Sequence, residues 1–253
     1  VKINFAHRTF RWDSEASMMA HVHCVIVAFS YLNNPNKLIF DGQNVIRAKN
    51  INAYLIDAEN TFAKSRTKPI MPDVPQIGIG NKPIDGGNYL FKKDEMEAFI
   101  KSEPESAKYF HPWYGAEEFI HQRPRYCLWL GDCSPAELRK MPHALKRVEN
   151  VRNLRLASKS AGTRKLADKP TRFHVENFPQ GDYIIIPSTS SERRSYIPMG
   201  YLDSNCISSN AVHIIPDASL YHFGVLESSV HMAWMRVVCG RLKSDYRYSK
   251  DIV

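Results

Sequence analysis

The chain has 253 residues, of which 43% are hydrophobic and 24% charged, and a formal net charge of +8. That composition fits one large globular domain or two small ones, each able to bury a core. No apolar run approaches the roughly 18 residues that cross a bilayer, and the opening VKINFAHRTF lacks a signal-peptide pattern and an initiator Met, so no membrane association and a start inside a longer protein are expected.

In chain order, KINFAHRTFRW and AHVHCVIVAFSY predict two strands joined by a polar turn at WDSEAS. The second is nearly continuous in apolar residues, which predicts burial on both faces. LIFDG and KNINAYLID suggest a short strand and an extended element, and the stretch 61–77, with Pro69, Pro72 and Pro75, reads as an irregular connection. KKDEMEAFIKSEPESAKYFHPWYGAEEFI predicts two short helices split by Pro104, and RYCLWL a compact buried strand. SPAELRKM starts a helix on an N-cap Ser followed by Pro, and a basic helix follows over about 142–160. Further strands are expected around Tyr183–Ile186, Tyr196–Tyr201 and SNAVHIIPDA, and LYHFGVLESSVHMAWMRVVCGRL is the strongest helical run. The fold class is α+β, with short mixed strands and helices.

Charge is local. Residues 139–172 hold 11 Lys or Arg against Glu149 and Asp168, so this segment alone nets +9 and the remainder about −1. A basic stripe on a neutral body is the electrostatic footprint of a nucleic-acid partner; a solvated helix would interleave Glu with Lys. Arg147, Arg152, Arg155 and Lys159 lie on its helix. A second cluster, STSSERRSY, places Ser190, Ser191, Arg193 and Arg194 in a turn between strands, where hydroxyls and guanidinia suit phosphate oxygens or guanine edges. A solvated hairpin with an internal Glu192–Arg pair explains the same residues. A third, GRLKSDYRYSK, interleaves Arg241, Lys243 and Arg247 with Tyr246 and Tyr248, as a helix end plus a backbone-contacting loop or a polar C-terminus.

Other chemistry finds little support. GIGNKPIDGGNYL (78–90) is neither GxxxxGK[ST] nor GxGxxG, because Pro83 follows Lys82 and no helix starts at once. Five cysteines without a CxxC pair and ten histidines without HExxH predict no metal site. Cys24 and Cys127 read as buried thiols of a reducing, cytoplasmic compartment, and His21 and His23 as structural. There is no GxSxG elbow and no tight carboxylate cluster.

FAHRTFRWDSEASMMAHVHCVIVAF, GNKPIDGGNYL, RYCLWLGDCSPAEL, RVENVR, SSERRSYIPMGYL and GRLKSDYRYSKDIV occur in this order. Together they resemble the distal part of MmeI-like (type IIL) restriction–modification enzymes, single chains that combine an N6-adenine DNA methyltransferase with target recognition and often a nuclease. The resemblance implies that residues 1–31 are the closing strands of a methyltransferase sheet and 32–253 a target recognition domain, intramolecularly packed on a methyltransferase core and cut at both ends. It implies double-stranded DNA as the partner and S-adenosylmethionine as the cofactor of the parent enzyme. The family's glycine-rich cofactor loop and Asn-Pro-Pro-aromatic tetrad do not occur here, and Asn34-Pro35-Asn36 is not that tetrad, so the chain alone is expected to bind no cofactor and to catalyse nothing. Phe10 and Trp12 match the aromatic that helps hold a base rotated out of the duplex. An RNA-binding module and a self-contained nuclease or nucleotide hydrolase remain the alternatives.

Overall fold

A computed structural model describes residues 1–13, 21–62 and 73–250. Most of the expected WDSEAS turn, the His21 side chain, Pro69 and Pro72 lie outside the described residues.

The N-terminal region is a four-stranded sheet in the order β2-β1-β3-β4, with β1 Lys2–Asp13, β2 His21–Ser30, β3 Lys37–Asp41 and β4 Asn44–Ala48. β1 runs antiparallel to β2 and parallel to β3. A small core of Ala6, Ile39, Ala48 and Ile51 holds it. The expectation that β2 is buried on both faces is not met: Val22, Val25, Ile26 and Phe29 are exposed. β2 is the edge strand, and the described residues supply no layer to cover its faces. Cys24 on the same strand is half-buried for the same reason, whereas Cys127 is fully buried; all five cysteines are free thiols. KNINAYLID, expected as an extended element, is a turn, in which Asp57 accepts from the Lys49 and Asn50 N–H groups.

The rest of the chain packs around three further clusters. β5 Gly78–Ile79, β6 Leu90–Phe91, α1 Lys93–Ser102, β7 Phe110–Tyr114, α2 Ala116–His121 and β8 Arg125–Leu128 come first. FHPWY is therefore a strand where a helix was expected. Pro104 opens a 3-10 turn over Pro104–Tyr109, and Trp113 is buried against β8's neighbours. α3 Pro135–Leu138 starts as the sequence predicts: Ser134 Oγ accepts from Glu137 N–H, and Pro135 needs no partner at the first position. α4 is Pro142–Leu156, shorter than expected, since the chain turns at Ala157 and restarts as α5 Ala161–Lys165 with Ser160 as N-cap. The buried face of α4, Ala144, Val148 and Val151, closes the first core with Tyr89, Phe91, Trp113 and Leu128.

Next come β9 Tyr183–Pro187, β10 Thr189–Ser190, β11 Gly200–Leu202, β12 Ile207–Ser208 and β13 Val212–Pro216. The sheet β11-β9-β13-β5 is covered on both sides. Ile184 and Ile186 point into one core and Tyr183 and Ile185 into another, the period-two alternation of a strand. The long C-terminal helical run is two helices, α6 Leu220–Leu226 and α7 Ser229–Val238, because Ser228 accepts from His231 N–H and starts a new one. β14 Gly240–Leu242 and β15 Asp245–Arg247 end the described fold as a hairpin.

Candidate nucleic-acid interface

The hairpin of β14 and β15 joins β10 in a three-stranded sheet, order β10-β15-β14. Thr189 pairs with Arg247, Ser190 with Tyr246, and Arg241 with Tyr246 across the sheet. Two segments about fifty residues apart in sequence, STSSERR and GRLKSDYR, are thereby brought together. Ser191 organises the turn: its Oγ accepts from Arg193 N–H at 3.3 Å and its carbonyl from Arg194 N–H at 3.1 Å. Arg193 and Arg194 project exposed from it. Arg241 lies over the Tyr246 ring with 4.0 Å to its centroid, donates to Ser244 O at 2.8 Å, and stands 3.8 Å from Glu192. Lys243 holds a left-handed conformation, φ +56°, at the hairpin tip, and Arg236 of α7 donates to Ser195 O. Ser190 corrects the expectation of a hydroxyl offered outward. It is 2% exposed, and its Oγ meets no hydrogen-bond partner among the described residues. An inward-facing strand position in a packed sheet puts it there.

The basic helix divides its cations between interior and surface. Arg155 is 0% exposed, which overturns its place among surface contacts. Its guanidinium donates to five main-chain carbonyls: Pro83 at 2.8 Å, Ile84 at 3.0 Å, Leu166 at 2.9 Å, Lys169 at 3.1 Å and Arg172 at 2.8 Å. A planar fork with five donors suits a cluster of converging carbonyls as no lysine does. Burial lowers its pKa from the ordinary guanidinium value, while Tyr89 and Asp85 nearby oppose that shift. Arg147 is half-buried: it donates to Asn88 O at 2.8 Å and lies over the Phe91 ring with 4.2 Å to the centroid. Burial also lowers its pKa. Arg152 and Lys159 remain exposed. The helix N-terminus is capped from afar by buried Glu103, which accepts from His143 and Ala144 N–H at 2.7 and 3.0 Å.

The glycine-rich loop serves packing. A Cβ on Gly80 would stand 2.2 Å from Ser209 O, and Gly80 N–H donates to Val212 O. Gly86 and Gly87 take φ of +61° and +82°, and buried Asp85 accepts from Tyr89 N–H. Lys82 pairs as a bridge with Val175 rather than opening a helix, so the loop is no phosphate cradle of the nucleotide-hydrolase type. Phe10 and Trp12 sit two apart on β1, ring centroids 6.3 Å apart, with Trp12 59% exposed. Among the described residues, no three His, Cys, Asp or Glu could hold a metal ion, and no helix is long and apolar enough to cross a membrane.

Residues 57–253 match the target recognition domain of MmeI, and residues 1–41 match the MmeI DNA-methyltransferase domain. The chain belongs to the MmeI target recognition domain family. The methyltransferase match ends at the last residue of β3, so that part consists of three of the four strands of the N-terminal sheet. The chain is 41% identical over its whole length to DNA methyltransferase A of Bacillus subtilis (strain 168), spanning 29% of that protein. It also superposes on the solved structure of the type IIL restriction–modification enzyme MmeI in complex with DNA. There the TM-score is 0.89 and the identity 46%, over 100% of this chain and 34% of that one. The chain thus spans about a third of the length of the relatives it matches.

Sequence reasoning missed the hairpin of β14 and β15 and therefore the meeting of two cationic segments. The signal was present: alternation in RLKSDYRY around a polar pair, of the kind that turns a hairpin. Arg247 of the third cluster is exposed on β15.

Proposed function

We propose that the chain is the double-stranded-DNA recognition module of an adenine-N6 DNA methyltransferase of the restriction–modification type. The observation that carries this reading is the convergence of Arg193, Arg194, Arg241, Lys243 and Arg247 on the three-stranded β10-β15-β14 sheet and its turns, in a chain of this family. Guanidinia held by a turn and by a Tyr ring are ordered donors for phosphates and base edges. Arg152 on α4 and Lys159 in the turn after it add phosphate contacts, while Arg147 covers the Phe91 ring. The ring pair Phe10 and Trp12 is the proposed stacking surface for a base turned out of the duplex. Residues 1–31 are assigned to the closing strands of the methyltransferase sheet and 32–253 to recognition. The bare faces of β2 are assigned to packing on the methyltransferase core, in a cytoplasmic enzyme.

S-adenosylmethionine is proposed for the parent enzyme. The residues present here do not fit it, since the glycine-rich loop is closed against Ser209 and its glycines serve turns and close packing. No methyl-transfer step is derived through this chain.

The test is retention from a randomised duplex library at two salt concentrations, followed by sequencing. A retained motif supports base reading by this module, and an adenine within it marks the expected methylation target. No duplex binding at low salt, or preference for RNA in competition, overturns the reading. Nucleotide hydrolysis by the purified chain, abolished by Lys82→Ala, would favour the enzymatic alternative; none is expected.

A further inference from the structure

Beyond Arg152 and Lys159, the recognition surface leaves out Lys82, Arg164, Lys165 and Lys169, four exposed cations that adjoin the backbone tied together by one buried group. The Arg155 guanidinium ties the backbone at Pro83 and Ile84 to that at Leu166, Lys169 and Arg172. Lys82, Arg152, Lys159, Arg164, Lys165 and Lys169 surround this hub, and all six are exposed. Arg164 Nη1 donates to Ser158 and Lys159 carbonyls at 2.8 and 2.9 Å, which pins it across the end of α4. None of the six forms an ion pair with a described acid. Asp168 is the exposed acid among them.

The scaffold beneath is rigid. Lys82 N–H donates to Val175 O at 3.0 Å and Lys82 O accepts from His174 N–H at 2.9 Å. Ile84, a β-branched residue, is held at φ +51°, a conformation that persists only where its surroundings over-determine it. Six like charges held together on such a base repel one another unless an anion lies across them.

We infer that these six residues form a phosphate-tracking platform for duplex DNA, separate from the β10-β15-β14 sheet and its turns. The inference rests on the recognition reading above and adds a second contact to it. α4 lies on the first core and that sheet on the second. Composition assigns the two different work. Four of the six platform cations are lysines, point charges that suit phosphate without reading bases, whereas the sheet and its turns carry Arg193, Arg194, Arg241 and Arg247 beside the single Lys243, and planar guanidinium forks suit bidentate recognition. Every base pair presents phosphates alike, so platform contacts strengthen all sequences equally.

The test combines Arg164→Gln, Lys165→Gln and Lys169→Gln, three exposed positions, in the full chain. Its binding to two labelled duplexes of unrelated sequence is followed across a salt series, beside an Arg193→Ala/Arg194→Ala variant. The expected result is an equal loss of affinity, tenfold or more at low salt, for both duplexes. The slope of log affinity against log salt should become shallower by about 0.9 for each phosphate contact removed, with an unchanged thermal melt. An unchanged slope in the triple variant, while the Arg193/Arg194 variant loses affinity, overturns the platform and leaves duplex recognition standing. A loss confined to one sequence overturns it too, because the cations would then be reading bases. If the unaltered chain binds neither duplex at low salt, or binds duplex RNA in preference, the recognition reading falls and the platform with it.

Discussion

Two arginine-rich regions of this chain meet opposite fates. On α4, Arg155 is wholly interior and spends its five N–H groups on carbonyls, while Arg147 covers Phe91 and caps Asn88. On the β10-β15-β14 sheet and its turns, Arg193, Arg194 and Arg247 are exposed, and Arg241 lies over a Tyr ring at the surface. The difference lies in what the neighbouring backbone lacks. The carbonyls of Pro83, Ile84 and Arg172 have no backbone N–H partner among the described residues, and a buried carbonyl needs a donor. In the β10-β15-β14 sheet most of the backbone is held by the ladder and by the Ser191 turn, so no carbonyl cluster draws the Arg193 and Arg194 side chains inward. An arginine count therefore measures binding surface only after the interior carbonyls have taken their share.

The largest expected effect falls on the interior side of that contrast. Arg155→Met should destabilise the fold by about 3–5 kcal/mol: the Pro83, Ile84 and Arg172 carbonyls lose their donor, at about 1–3 kcal/mol each and nearer the low end where some water enters, while Leu166 O and Lys169 O keep backbone N–H partners. Denaturant unfolding measures this; a loss below about 1 kcal/mol would mean the carbonyl cluster is wetter than the structure shows. Glu103→Gln comes next. It keeps the shape but removes the charge that faces the first N–H groups of α4, and about 1–2 kcal/mol is expected from capping and dipole effects together.

On the surface side, Arg193→Ala and Arg194→Ala should each change stability by no more than about 0.5 kcal/mol while weakening duplex binding. Equal weakening on all sequences marks a phosphate contact, and relaxation at one base position marks base readout. Unchanged affinity in both would remove the turn from the interface. The smallest effect concerns the start of α3. Glu137 is held down to about 2 from its ordinary 4.5, first by its hydrogen bond to Lys108 and then by those to Ser134. With the folded pKa below the unfolded one, the stabilising contribution is complete above about 4.5 and is lost as pH falls towards 2. An NMR titration of the Glu137 carboxyl should show this low midpoint, and Lys108→Met should raise it.

Much of the recognition region was legible because its signals are local. Ser134-Pro135 starts a helix whatever surrounds it, and the YIII run of β9 is buried on both faces as such a run predicts. HVHCVIVAFS carries the same signal and yet is exposed. Periodicity reports how much cover a strand needs, but the sheet order decides whether the described residues supply it. FHPWY, with its proline, read as helix and became β7, because pairing with β8 outweighed local preference. Of the candidate contacts, Arg193, Arg194, Arg241 and Lys243 were readable as exposed polar turns. Ser190 and Arg155 were not, since which way a side chain faces depends on the layer above it.

The sequence by itself determined the α+β class, the local concentration of positive charge, the turn glycines and the absence of nucleotide-loop spacing. These follow from composition, capping and spacing, each set within a few residues. Only the tertiary structure decided that STSSERR and the 240–247 hairpin share a sheet, and that Arg155 is a clamp rather than a contact. Both depend on pairings between residues far apart in the chain, where the cost of loop closure is met by hydrogen bonds that no local pattern announces.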